Sequence, residues 1–213
     1  MKRIVAVNAS PRVKWNTAQL VREAAAGAQD AGAEVEVVDL YKLDAFTGCR
    51  SCFHCKLEKY EGTCVIKDGL RDLLAKIREA DGLILGAPIY FGNLSAGFRA
   101  LYERLCFQYL TYRPEDITCN QHRVPVLLIV TSGVPAEAYE DVNYGHMVDL
   151  HVKTLDTHVG PTTLYTVGST MQVADYSRYN WTMFDADART KRHEEVFPSE
   201  LAQARELSGK LFA

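Results

Sequence analysis

The chain has 213 residues, 47% of them hydrophobic and 24% charged, with a net charge of −3. That length suits one domain with a sizeable core; the dispersed Lys and Arg exclude a nucleic-acid binder, and no apolar stretch reaches the length of a membrane span. Residues 1–7 have a basic start but too short an apolar run for a secretion signal, so a cytoplasmic chain is expected, and in that compartment clustered cysteines point to metal or redox work rather than disulfides.

Residues 4–7 form a continuous apolar run, the pattern of a strand buried on both faces. Thr17 can cap a helix reaching about residue 31, with Val21, Ala24, Ala25 and Ala28 on one face and Gly32 as a stop. Residues 35–40 read as a second strand. Asp68 can cap a helix striped by Leu70, Leu73, Leu74 and Ile77. Residues 82–87 make a third strand, and Phe98, Leu101, Tyr102 and Leu105 mark the helix after it. Residues 124–130 are the strongest strand, residues 137–156 a helix, and 160–167 the last strand. A closing helix over 199–212 turns Leu201, Ala204, Leu207 and Leu211 inward. Strands alternating with helices predict a five-stranded, flavodoxin-like doubly wound parallel sheet with helices on both faces, in a single domain over 1–213. Ligands of such folds bind at the C-terminal ends of the strands. Two segments fall outside the pattern: a cysteine loop at 44–67 and a polar, aromatic arm at 168–198.

Three loops gather at the expected rim. After the first strand come Asn8, Ala9, Ser10, Pro11 and Arg12, then Asn16 and Thr17 at a helix start. Hydroxyls, an amide, a guanidinium and free helix N–H groups suit a phosphate monoester; a plain polar loop with a helix cap is the simpler alternative. After the third strand, Pro88, Ile89, Tyr90, Phe91, Gly92 and Asn93 offer two adjacent aromatics to a planar ring, unless those aromatics are core. Thr131, Ser132 and Gly133 follow the fourth strand.

In the cysteine loop, Cys49, Cys52 and Cys55 are spaced three apart and Cys64 follows. Four thiolates so placed suit a [4Fe–4S] cluster or zinc, and unliganded packing cysteines are the third reading. His54, inside the motif, reads as a surface residue, and Cys106 and Cys119 as unliganded thiols.

The rim loops, Cys-Val-Ile-Lys-Asp before a helix, and the terminal Phe-Pro-x-x-Leu-x-x-Ala resemble the NADPH-dependent FMN reductase superfamily over the whole chain, most closely its iron–sulfur flavoprotein branch. The resemblance implies that Ser10, Arg12, Asn16 and Thr17 hold the FMN phosphate. It implies that Pro88, Ile89, Tyr90, Phe91, Gly92 and Asn93 hold the isoalloxazine, helped by Thr131, Ser132 and Gly133, and that Cys49, Cys52, Cys55 and Cys64 hold the cluster. The chain departs from the family pattern at Ala9, where glycine is usual, at the bulky Trp15, and at Asp68-Gly69-Leu70. The gap from Cys55 to Cys64 is also longer than in the compact motif. The implied activity is that of an NAD(P)H-dependent flavin or quinone reductase, with no side-chain catalytic residue because the flavin does the chemistry. A flavodoxin-type carrier reduced by a ferredoxin-like protein and a zinc-stabilised scaffold without flavin are the alternatives. The arm, with Met171, Tyr176, Tyr179, Trp181, Met183 and Phe184, has the composition of an interface anchor, and a homodimer or homotetramer is expected; an extension folded back over its own sheet is the alternative.

Overall fold

A computed structural model describes residues 1–213. In chain order it contains β1 (Arg3–Asn8), α1 (Asn16–Asp30), β2 (Glu34–Asp39), α2 (Arg71–Glu79), β3 (Gly82–Tyr90), β4 (Asn93–Leu94), α3 (Ala96–Tyr109), β5 (Leu110–Arg113), β6 (Asp116–Thr118), β7 (Val126–Thr131), α4 (Tyr144–His158), β8 (Thr162–Val167), α5 (Ala186–Glu195) and α6 (Phe197–Phe212). Five strands pair in parallel in the order β2-β1-β3-β7-β8, the expected doubly wound order. The apolar runs explain the centre. β1, β3 and β7 are covered on both faces, so they carry no polar alternation. Along β1, Ile4 and Ala6 face α1 and α6, among Leu20, Val21, Ala24, Ala204 and Phe212. Val5 and Val7 face the other layer, where α2, α3 and α4 contribute Leu73, Ile77, Phe98, Leu105, Val148 and Leu155.

Several details differ from the sequence reading. Thr17 does not cap α1: the cap position is Trp15, without a side-chain cap, and Thr17 lies inside the first turn. Asp68 does not cap α2 either. It accepts from the Leu70 N–H at 3.1 Å, ahead of the helix, and pairs with Arg104. The fourth long strand starts at Val126 because Pro125 has no N–H to give a ladder. α4 begins at Tyr144 rather than 137, since Asn143 takes a left-handed φ of 59° that no helix continues through. The arm contains α5, and β5 and β6 form an unanticipated antiparallel hairpin.

α1 and α6 approach closely at Gly27, where a Cβ would lie 2.0 Å from the Arg205 carbonyl oxygen. Alanine normally favours a helix interior over glycine by about 1 kcal/mol, but here one backbone must move away from another. Gly27→Ala is therefore expected to destabilise by about 1–3 kcal/mol, the usual range for overpacking. A lower urea midpoint with an unchanged slope is the expected result; a gain in stability would contradict the contact.

Candidate functional site

The loops after β1, β3 and β7 close around one crevice at the C-terminal edge of the sheet, with about 440 Å³ of empty space, part of it open to solvent. Asn8 organises its floor. The Asn8 Oδ1 accepts from the Ser10 N–H at 3.1 Å, and its Nδ2 donates to Asp39 at 2.9 Å. Burial raises the Asp39 carboxyl, but Asn8, Lys42 and Arg22 outweigh it and hold the group below the usual carboxylate value. The Ser10 Oγ accepts from the Arg12 N–H at 3.2 Å, which curls the loop toward α1. The first turn of α1 has neither a capping side chain nor an acidic residue, so its N–H groups and the positive end of the helix dipole remain available at the crevice. The Arg12 guanidinium lies 4.1 Å from the Trp15 ring centroid and donates to the Gln172 carbonyl.

Ten of the thirteen residues expected to bind the flavin line this crevice: Ser10, Arg12, Asn16 and Thr17; Pro88, Ile89 and Tyr90; Thr131, Ser132 and Gly133. They do not all offer side chains to a ligand. The Thr17 and Thr131 hydroxyls pair with each other at 2.8 Å. The Ser132 hydroxyl donates to the Val134 carbonyl at 2.6 Å and accepts from Tyr139 at 3.0 Å. Phe91, Gly92 and Asn93 do not line the crevice. β3 runs on to Tyr90, and Phe91 and Gly92, at φ 49° and 77°, make a two-residue turn into β4. Positive φ at both central residues is the type I′ signature. Phe91 at the tip is fully exposed, at 108%, and Tyr90 is 43% exposed, so neither aromatic is core. Burial raises the Tyr90 phenol pKa, against the opposing pull of Arg12.

The arm completes the crevice wall, a role the sequence reading did not give it. The Met171 carbonyl accepts from Trp15 Nε1 at 2.9 Å and Asn16 Nδ2 at 2.8 Å. Thr170 donates its N–H and its hydroxyl to the Ser132 carbonyl, each at 2.9 Å. Arg189, on α5, donates to the Gly133 carbonyl at 2.8 Å. Two buried polar atoms on residues lining the crevice, Asn16 Oδ1 and Gln172 Nε2, have no protein partner.

Cys49, Cys52, Cys55 and Cys64 line a second cavity, whose roughly 290 Å³ of empty space includes open solvent and whose enclosed part admits little more than one water. Ser51 and Phe53 flank Cys52 in the left-handed region, at φ 49° and 59°. That is costly for residues with side chains, by about 1–3 kcal/mol each, and such strain concentrates at functional sites. The face of α3 beneath the loop anchors it. Glu103 accepts from the Cys49 N–H and Gln108 from the Cys64 N–H, each at 3.2 Å. Lys56 donates to the Phe107, Gln108 and Leu110 carbonyls, which caps the negative end of the helix. Burial pushes the Cys55 thiol up; Lys56 opposes this, while Cys64 and Cys49 add to it. No three His, Cys, Asp or Glu side chains converge tightly enough to share a single metal ion. His54 is exposed, Cys106 is buried with its thiol pKa pushed up to about 12, and Cys119 lies beside the Gln108 carbonyl at 3.8 Å. None of these three lines the cysteine cavity.

Sequence reasoning placed Asn8 in the rim loop without its organising role, and missed the 170–172 wall, Lys56, Arg104 and Gln108. Arg104 had left a signal, a cation beside Leu101 and Leu105 on an apolar stripe.

Comparison with known proteins agrees with this geometry. The chain is 39% identical over 102 residues to an iron–sulfur flavoprotein of Methanocaldococcus jannaschii, a match covering 48% of this chain and 51% of the relative. An iron–sulfur flavoprotein of Methanosarcina thermophila is 31% identical over 102 residues, again 48% of this chain and 51% of that one. The chain thus matches about half the length of these curated relatives. In fold it is similar to an NAD(P)H:quinone oxidoreductase from Methanothermobacter marburgensis, with a TM-score of 0.67 and 18% identity over 100% of this chain and 98% of that one. An azoreductase from Bacillus anthracis gives a TM-score of 0.69 at 15% identity, over 99% and 100% of the two chains. Residues 2–160 match the model of the NADPH-dependent FMN reductase family, to which this chain belongs.

Proposed function

We propose that the chain is an FMN-dependent oxidoreductase that takes reducing equivalents from NAD(P)H, passes them to a flavin or quinone, and relays single electrons through a [4Fe–4S] cluster. The observation that carries the reading is the crevice, where an uncapped helix N-terminus, Ser10 and Arg12 meet below the Pro88–Tyr90 segment. FMN, when bound, supplies hydride acceptance and delivery of electrons singly or in pairs. The chain's own residues bind and orient. The first-turn N–H groups of α1 and the Arg12 guanidinium would hold the phosphate. The free Asn16 Oδ1 would accept from a ligand hydroxyl, and the free Gln172 Nε2 would donate to a ligand acceptor. Pro88, Ile89 and Tyr90 would line the ring, while the exposed Phe91 tip stands outside the crevice wall. No acid or base of the protein is needed.

The cysteine cavity brings four thiol residues onto one lining, the donor set of a [4Fe–4S] cluster. Cys49, Cys52, Cys55 and Cys64 would hold the cluster as thiolates. A cytoplasmic setting and a ferredoxin-like redox partner belong to the same proposal.

Arg12→Ala should weaken FMN by about 1.5–3 kcal/mol, the worth of a hydrogen bond to a charged group, and leave riboflavin affinity nearly unchanged. Fluorescence titration of both ligands checks this, and equal loss for both would remove Arg12 from the phosphate. Anaerobic NADPH should bleach the bound flavin without a second protein; a flavin that only a reduced ferredoxin bleaches would make the chain a carrier.

Cys55→Ser should abolish iron and sulfide incorporation on anaerobic reconstitution and leave FMN content at the parent's level, since the two cavities share no residue. A variant that still incorporates about four irons would exclude Cys55 from the ligand set.

Homo-oligomer formation through the arm is the remaining part of the proposal. Tyr179 and Trp181 stack at 4.4 Å, each 44% exposed, with Met183 at 87% beside them. A Tyr179→Ala, Trp181→Ala double variant should lower the assembly state seen by light scattering. Parent protein that is monomeric at micromolar concentration would refute this.

A further inference from the structure

α3 turns two long polar side chains, Arg104 and Gln108, toward the cysteine cavity from positions one helical turn apart. Both are buried, at 1% and 3% exposure. Part of their hydrogen-bonding capacity is used within the protein. Arg104 Nη1 donates to both Asp68 oxygens, at 2.6 and 2.7 Å, and Nη2 donates to the Ile66 carbonyl at 3.2 Å. Gln108 Oε1 accepts from the Cys64 N–H. One donor nitrogen on each residue is left without any partner, Arg104 Nε and Gln108 Nε2. A buried donor without an acceptor carries an uncompensated desolvation penalty. Beyond the hydrogen bonds already formed, the cavity that both residues line offers mainly the sulfurs of Cys49, Cys52, Cys55 and Cys64 and apolar neighbours. Two unpaired donors on one helix face, at a wall made of thiols, is the arrangement expected beneath an anionic sulfur-rich group.

We propose that Arg104 Nε–H and Gln108 Nε2–H donate hydrogen bonds to sulfur atoms of the cluster bound by the four cysteines, and that they set its reduction potential. The inference rests on the cluster reading above and goes beyond it by naming the residues that tune the bound group. The physical effect has a definite sign. A cluster held by four thiolates is anionic, and reduction adds one more negative charge. Donors and a fixed cation at its sulfurs stabilise the reduced form more than the oxidised form, so they raise the potential. Arg104 supplies a donor and a charge, whereas Gln108 supplies a donor alone. Both are positioning residues outside the ligand set.

The test uses the full chain, reconstituted anaerobically with iron and sulfide and titrated electrochemically, with the reduced cluster read by electron paramagnetic resonance. Gln108→Met keeps the size and removes the donor, together with the Oε1 that accepts from the Cys64 N–H, so its iron, sulfide and FMN content are measured before its potential. Arg104→Lys keeps a cation for Asp68 and removes the Nε–H. Each variant should hold the parent's iron, sulfide and FMN content. Each should be harder to reduce, with the reduced-to-oxidised ratio at a fixed ambient potential falling about tenfold, equivalent to about 59 mV for one electron. Should Arg104→Lys fail to fold, Gln108→Met decides alone, because no buried charge depends on it. A loaded parent whose folded variants titrate at the parent's potential would overturn this inference and leave the cluster reading intact. A parent that incorporates no iron would overturn the cluster reading itself, and this inference with it.

Discussion

A guanidinium at 1% exposure and a single carboxylate at 2.6 Å fix the half of the molecule that carries the cysteines. Arg104 reaches from α3 to Asp68, just ahead of α2, and Asp68 also accepts from the Thr47 N–H at the other end of the cysteine loop. Both ends of the loop are thereby pinned to one side chain. Burying such a pair costs several kcal/mol per ion in desolvation, which the mutual attraction only repays when the geometry is good. Burial opposes the Asp68 charge, but Arg104 and the Thr47 and Leu70 N–H groups outweigh it and hold the carboxyl below the usual value. An apolar pair could fill the same volume as stably, but it could not clasp both ends of the cysteine loop.

The layers of the fold were legible because the central strands are buried on both faces and so read as unbroken apolar runs. The pieces that escaped lack that signature. β5 and β6 are four and three residues long and span a polar turn, so no alternation has room to develop. α5 has no buried residue and no apolar stripe; it is held by Asp185 accepting at its N-terminus and by Arg189 and Arg192 reaching to Gly133 and Glu200. Thr17 looks like a cap in the sequence, and its hydroxyl is instead taken by Thr131, 114 residues away. The same distance problem hid the wall formed by Met171 against Asn16, a contact across 155 residues. An aromatic beside Gly92 reads as a ring wall in the sequence; in the fold Phe91 stands exposed at the tip of a type I′ turn beside the crevice.

The arm's two halves behave differently. Its first residues, Thr170 to Gln172, are committed to the chain's own crevice through backbone carbonyls, contacts that tolerate many side chains. Its later residues, Tyr179 to Phe184, stack on one another and leave broad apolar area outside. The element thus closes one site with its backbone and leaves its later side chains free of the crevice.

The anchors of the cysteine loop have a consequence for the order in which the molecule can be made. Glu103 lies 54 residues beyond the cysteine it holds, and Gln108 lies 44 beyond Cys64. A nascent chain that has exposed all four thiols still lacks the helix against which they are shaped. The strained turns at Ser51 and Phe53 have nothing to hold them until that helix docks on the sheet. During synthesis, which exposes the chain from its N-terminus, there is a window in which four thiols are in solution together with no geometry imposed on them. A metal group delivered in that window would meet a flexible chain, and one delivered after α3 is in place would meet a formed cavity.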